Sequence, residues 1–326
     1  SDANIEALVR FLISRYCHRP EWRGARAPEP VDYPDTGLYH PDLKDRITTD
    51  PGAIPGPAGA TGTVGLLMMR SYVLSGDTSH YDAVIRKLEA RGLRVLPAFA
   101  GGLDARPAIA AFFTGEQGPK VDALLSLTGF SLVGGPAYND NDSAIAVLAG
   151  LDIPYIAAHP LEFQTLGQWA DSPQGLGPIE TTMLIALPEL DGATNPTVFG
   201  GRHGPEGCNA CQYQCPCTSA DKAMAPCHER IDSLAEKALR LVRLRKAKLA
   251  ERKVAIVLFG FPPNAGAVGT AAYLSVFESL HNTMLRMRDD GYAIEVPETV
   301  EALRAAVLEG NAAQYGMDAN VCAEIS

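Results

Sequence analysis

The residues with the clearest chemistry are the cysteines: Cys17, Cys208, Cys211, Cys215, Cys217, Cys227 and Cys322. Five of them fall in one segment, GCNACQYQCPCTSADKAMAPCHER (207–230). The spacing there is C-x2-C-x3-C-x-C, and Cys227 follows after nine more residues. Thiolates are the soft ligands that zinc and iron–sulfur clusters select. Thiols two or three residues apart reach one centre from a single turn. Zinc sites usually set two C-x2-C hooks apart by a longer span, often with histidine. This run instead packs three thiols into the eight residues 208–215 and continues Cys-Pro-Cys, which is closer to bacterial iron–sulfur segments. Cys208, Cys211, Cys215, Cys217 and Cys227 are therefore the candidate metal ligands, with an iron–sulfur cluster favoured over zinc. The fourth ligand stays open between Cys217 and Cys227, and His228 is a weaker alternative. The odd, clustered count without a leading secretion signal argues against a disulfide framework and for a reducing, cytoplasmic compartment.

Other constellations are weaker. Gly266 and Gly269, in PPNAGAVGTAAY (262–273), precede a predicted helix start where free N–H groups could hold an anion. There is no Walker lysine and no G-x-G-x-x-G, so nucleotide binding is poorly supported. LTGFSLVGGP (127–136) sits at the carboxyl end of a predicted strand, where open α/β sheets place ligands. Gly134 and Gly135 serve equally well as plain loop residues. Ser131 lies outside any G-x-S-x-G elbow, so a hydrolase reading fails. No histidine pair has metal-hook spacing, and His40 and His159, the latter with Glu162 nearby, are the two with the most suggestive surroundings. Residues 237–253 hold eight Lys or Arg against one acid, Glu251, which reads as a solvated helix face or a docking surface for an acidic partner.

The elements that must position these residues follow from periodicity. Ile5, Leu8, Val9, Leu12 and Ile13 have helical spacing over 4–17. Residues 19–60 are rich in Pro and Gly and read as an extended segment. From 63 onward, short apolar runs at 63–69, 93–100, 121–129, 153–159 and 193–201 alternate with helical stretches at 81–92, 107–113, 143–150, 164–171 and 177–187. That alternation predicts an α/β fold of parallel strands and helices in Rossmann- or flavodoxin-like units. A long helix is predicted over 228–251. A second strand–helix–strand unit is predicted from KVAIVLFGF (253–261), a helix at 269–288 and YAIEVP (292–297), with a last helix at 298–310. The expected organisation is 1–60, a first α/β domain at 61–202, a cysteine-rich loop at 203–228, and the long helix with the second α/β unit at 229–326.

Composition narrows the function classes. The 326 residues are 46% hydrophobic and 20% charged, ordinary for a globular chain with a real core. The net charge of −10 argues against nucleic acid as a partner. No apolar run is long enough to span a membrane. The chain opens on Ser1-Asp2-Ala3 rather than Met, which points to an internal fragment of a longer protein.

Several long stretches resemble the porphyrin-binding large (H) subunit family of magnesium chelatase and, more distantly, the large subunit of cobaltochelatase. They are GLYHPD (37–42), SGDTSHYDAVIRKLEARGLRVLPAFAGGLD (75–104), DALLSLTGFSLVGGPA (122–137), ALPELDGATNPTVFGGR (186–202) and FGFPPNAGAVGTAAYLSVFESL (259–280). The family's subunit is several times longer than this chain. The resemblance implies insertion of Mg²⁺ into protoporphyrin IX in chlorophyll or bacteriochlorophyll biosynthesis, with ATP hydrolysed by AAA+ partner subunits. The cysteine run is similar to the bacteriochlorophyll-type version, for which a [4Fe–4S] cluster is implied. An oxygen-sensing module of that subunit and a cobaltochelatase fragment are the alternative readings. No catalytic residue is carried over, and the catalytic acids are expected beyond residue 326.

Overall fold

The computed structural model describes residues 1–19, 22, 26–135, 138–205, 207–213, 215, 223–258, 270–271 and 274–308. The chain forms two compact units, Ser1–Arg245 and Lys246–Ser326. In the first, the elements run α1 (Asp2–Tyr16), β1 (Gly37–Tyr39), β2 (Ile47–Thr48), β3 (Gly62–Met69), α2 (Ser79–Ala90), β4 (Leu93–Ala100) and β5 (Ala123–Ser126). They continue with α3 (Asn141–Leu151), β6 (Tyr155–Thr165), α4 (Leu166–Asp171), β7 (Thr194–Arg202), β8 (Met224–Pro226) and α5 (His228–Lys246).

The eight strands form one sheet in the order β8-β7-β6-β5-β3-β4-β1-β2. β7, β6, β5, β3 and β4 are parallel, and β8, β1 and β2 add antiparallel edges. Counted along the chain, the parallel strands lie in the order 2-1-3-4-5, the flavodoxin-like doubly wound arrangement. Both faces are covered, which is why the central strands read as continuous apolar runs rather than alternating ones. From β3, Val64, Leu66 and Met68 pack with Tyr81, Ile85 and Leu88 of α2 and Leu234, Ala238 and Val242 of α5. Leu67 faces the other layer with Phe112, Phe113 and the α3 residues Ala144 and Leu151. Burial of each such side chain contributes about 1.5–3 kcal/mol.

Two expectations need correction. The long helix, grouped by sequence with the second unit, buries Ile231, Leu234, Ala235, Ala238, Leu239 and Val242 in the core of the first sheet. Its apolar stripe specifies burial but not which sheet it covers. The 19–60 segment, expected to be extended without sheet structure, supplies β1 and β2, strands of three and two residues that are too short to leave a periodic signature.

The second unit contains α6 (Val276–Asp289) and α7 (Val300–Leu308). The strands expected at 253–261 and 292–297 form no ladder among the described residues, and 259–261 lie outside them. Val257 is 89% exposed. An apolar run makes a segment competent for a strand, but a partner strand must complete it. The glycine turn at 262–269 also lies outside the described residues. No described helix is long and apolar enough to cross a membrane.

Candidate functional site

The cysteine segment is held between β7 and α5. β8 returns antiparallel to β7, pairing Gly200 with Pro226 and Arg202 with Met224. Cys227 then joins the sheet to the helix: its N–H donates to Phe199 O at 2.9 Å, and its carbonyl accepts from Ile231 N at 2.9 Å. Cys208 and Cys215 face each other as an antiparallel bridge, with Cys215 N donating to Cys208 O at 3.0 Å. The segment passes close over α4: a Cβ on Gly167 would sit 2.6 Å from Gly207 O. α4 is itself fixed by a capping box, in which Thr165 Oγ1 accepts from Gln168 N and Thr165 N donates to Gln168 Oε1.

This framework brings Cys208, Cys211, Cys215 and Cys227 to the wall of one cavity of about 900 Å³, open solvent included. Trp169, Glu229 and Arg230 are also on the wall. All four thiols are free. Burial pushes the Cys227 thiol up to about 11, with Cys215 and Cys211 adding to the rise and the Arg230 N–H opposing it. Cys215 is raised by burial and then by its neighbours Cys208 and Cys211. The thiols are thus close enough to discourage one another's ionisation, the logic that a bound cation inverts. Among the described residues, no three His, Cys, Asp or Glu groups already stand at metal-ligating spacing. Cys217 lies outside the described residues. His228 is exposed, and its ring lies 5.7 Å from that of Tyr213 rather than on the cavity wall.

A second crevice lies where sheet topology predicts one, at the carboxyl ends of β3, β4 and β5, where the crossovers diverge. Leu67–Met69, Ala100, Gly102, Ser126, Thr128 and Ser131 line its roughly 390 Å³, open solvent included. Ser126 and Thr128 hydroxyls hydrogen-bond at 2.9 Å. Ser131 Oγ donates to Asp191 Oδ2 at 2.7 Å, as does Leu132 N. Asp104 at the mouth is paired with Arg106 at 2.7 Å. The crevice is mainly apolar, and no histidine among the described residues lines it beside Ser131, in keeping with the failed hydrolase reading. Gly134 and Gly135 form a small hairpin with Tyr138 and Asn139. At φ +110°, a Cβ on Gly134 would sit 2.2 Å from Tyr138 O, so the turn itself requires glycine.

The suggestive histidines are structural. His40 Nδ1 accepts from Asp42 N at 3.1 Å, so Nε2 carries the proton toward Glu89 Oε1 at 3.0 Å and ties the GLYHPD turn to α2. His159 is buried and does not meet Glu162, which accepts instead from the Tyr72 hydroxyl. Burial pushes His159 down to about 4 and His80 down to about 3, so both are neutral near pH 7. Much of the basic stretch is engaged: Lys237 with Thr197, Arg240 with Glu236 and Arg245 with Asp152 O.

Sequence reasoning missed Asp191, Trp169, Tyr213, Asp232 and Arg230. Arg230 was within reach, since it stands three residues past Cys227 at a helix start. Trp169 and Asp191 carry no local signal, because only the fold brings them to their sites.

The CobN/Magnesium Chelatase family profile matches residues 1–325. The chain is 63% identical over its whole length to the magnesium-chelatase H subunit of Cereibacter sphaeroides, covering 28% of that protein. It is 39% identical over 97% of its length to the chloroplastic magnesium-chelatase ChlH subunit of rice (Oryza sativa subsp. japonica), covering 23% of it. The solved catalytic subunit of cobaltochelatase from Mycobacterium tuberculosis superposes with a TM-score of 0.67 at 25% identity, over 94% of this chain and 24% of that one. The chain therefore spans about a quarter of the length of these relatives. With profile, relatives and fold in agreement, the chain belongs to the CobN/magnesium chelatase family.

Proposed function

We propose that this chain is part of the porphyrin-handling H subunit of a magnesium chelatase, which inserts Mg²⁺ into protoporphyrin IX while AAA+ partner subunits hydrolyse ATP. The observation that carries this reading is the 63% identity, over the whole chain, to the magnesium-chelatase H subunit of Cereibacter sphaeroides. The 25% identity to the solved cobaltochelatase subunit favours magnesium over cobalt. The substrate explains the need for ATP: Mg²⁺ sheds water reluctantly, and two pyrrole protons must leave. The metal-insertion chemistry is placed outside 1–326. In support, the switch-point crevice offers one carboxylate, Asp104, and that is neutralised by Arg106. The role assigned to this unit is that of a rigid α/β body carrying a metal-binding appendage.

The donor set fits an iron–sulfur cluster, with zinc as the alternative. Cys208, Cys211, Cys215 and Cys227 share one cavity and are soft sulfur ligands. They would hold the cluster, which when bound supplies a one-electron redox centre and a cross-link between the 208–215 run and the start of α5. The protein's own part is to orient the thiols. The β8–α5 junction fixes Cys227, the Cys208–Cys215 bridge sets the loop, and α4 shields one side.

Two measurements test the reading. The full-length protein, assayed with its ATPase partners, ATP and protoporphyrin IX, is expected to insert Mg²⁺ and not Co²⁺; the reverse preference overturns the magnesium assignment. The chain purified without oxygen is expected to contain iron and sulfide in matching amounts, with visible charge-transfer absorption and an EPR signal on reduction. Zinc alone would make the site a structural staple, and neither metal would remove it as a centre.

A further inference from the structure

The cavity wall contains a cation with no assigned purpose. Arg230 occupies the first turn of α5, three residues after Cys227. Its guanidinium lies over the Trp169 ring, with Cζ 5.4 Å from the centroid. Trp169 comes from α4, and both residues line the cavity with the four cysteines. The arginine's ion pair is with its neighbour Glu229, Nε to Oε2 at 3.5 Å, and both side chains are about half exposed, at 46% and 50%. Such a pair is weak in water. Glu229 also lines the cavity, so its carboxylate subtracts from the positive field there.

A metal group held by four thiolates carries a net negative charge, whether the metal is zinc or an iron–sulfur cluster. An anion of that kind in a partly dry cavity gains from a fixed cation and from the positive end of a helix. α5 supplies the helix start, and Arg230 supplies the full charge. The aromatic face braces a guanidinium better than an ammonium, because the planar group stacks. We propose that Arg230, braced on Trp169, is the positioning residue that neutralises and retains the thiolate-held metal group at Cys208, Cys211, Cys215 and Cys227. The proposal rests on the reading that these cysteines hold such a group.

The test uses the full 326-residue chain, purified without oxygen, in wild-type, Arg230→Gln, Arg230→Lys and Trp169→Leu forms. Near-UV circular dichroism checks that each is folded. The first readout is the rate of metal loss to a chelator, which serves for iron or zinc. Arg230→Gln is expected to lose metal about tenfold faster, Arg230→Lys to stay within a few-fold of wild type, and Trp169→Leu to fall between. If the metal is a cluster, Arg230→Gln is also expected to be harder to reduce. A tenfold smaller ratio of reduced to oxidised protein at a fixed ambient potential corresponds to about 59 mV for one electron. Unchanged release and reduction in Arg230→Gln protein with full metal content overturns the role of Arg230 and leaves the cysteine site standing. Wild-type chain that binds neither metal overturns the cysteine reading and this proposal with it.

Discussion

The Tyr213 hydroxyl donates to Asp232 Oδ2 at 2.6 Å, and this bond ties the middle of the cysteine run to α5. The other oxygen of Asp232 meets Lys87 Nζ at 3.1 Å and Arg91 Nη2 at 2.9 Å, both from the neighbouring helix α2 and its end. One carboxylate therefore joins the segment between Cys211 and Cys215 to two helices that cover the sheet. Tyr213→Phe removes the latch and leaves Asp232 its two cations. The expected outcome is local: cysteine alkylation becomes severalfold faster while the thermal unfolding midpoint stays within a degree or two. A large drop in the midpoint would mean that Tyr213 supports the core rather than the loop.

His80 and His159 give the fold a defined pH response. Each is buried, has no ring-nitrogen partner among the described residues, and is held neutral far below the ordinary histidine range of about 6.5. Their unfolded forms take up protons near pH 6.5, while the folded forms resist until about pH 3 for His80 and about pH 4 for His159. Below 6.5 the unfolded chain therefore binds more protons, and stability falls as pH falls. The loss is about 1.4 kcal/mol per pH unit for each histidine in that window. His80 packs among the Tyr72, Tyr81 and Phe199 rings, so a phenylalanine there keeps the aromatic contacts. Urea unfolding between pH 7 and 5 should show a shallower slope in His80→Phe than in wild type, with His159 and His203, both lowered by burial, keeping the rest of the response. An unchanged slope would assign the acid sensitivity to other groups.

The first sheet was legible because its central parallel strands are buried on both faces and leave apolar runs long enough to see. The edge strands β1 and β2 were not, since a strand of two or three residues has no period. The second unit shows the opposite error: Val254, Ile256 and Val257 read as strand, yet they are exposed and unpaired among the described residues. Cys208, Cys211 and Cys215 stand out by spacing alone. Cys227 gains its weight as a candidate ligand only because β8 and α5 set it against the same cavity. Trp169 reaches that cavity from 39 residues before Cys208, a separation that no local motif bridges.

Asp191 is a buried acid that organises the loop above the switch-point crevice. It accepts from Ser131 Oγ and Leu132 N, both at 2.7 Å, while burial pushes its carboxyl above the usual aspartate range. Asp191→Ala strands two donors, each costing about 1–3 kcal/mol when left unpaired. Asp191→Asn keeps one acceptor oxygen without the cost of burying a charge, and should lose less than the alanine variant. Chemical denaturation of the two variants checks the order, and equal losses would show that the cavity rather than the hydrogen bonds sets the effect.

Gly167→Ala separates the position of the cysteine segment from the stability of the helix beneath it. Alanine favours the helix by roughly 1 kcal/mol over glycine in an interior position. Here its Cβ would stand 2.6 Å from Gly207 O, a backbone atom that cannot swing aside as a side chain does. Relief requires the chain at Gly207 to move outward, and that shift carries Cys208, the next residue, away from Cys211, Cys215 and Cys227. The α4 cap, made by Thr165 and Gln168, is untouched. The expected result is a folded protein with a near-normal unfolding midpoint that takes up less iron or zinc than wild type under anaerobic reconstitution. Full metal uptake by Gly167→Ala would show that the segment closes on its metal without resting on α4.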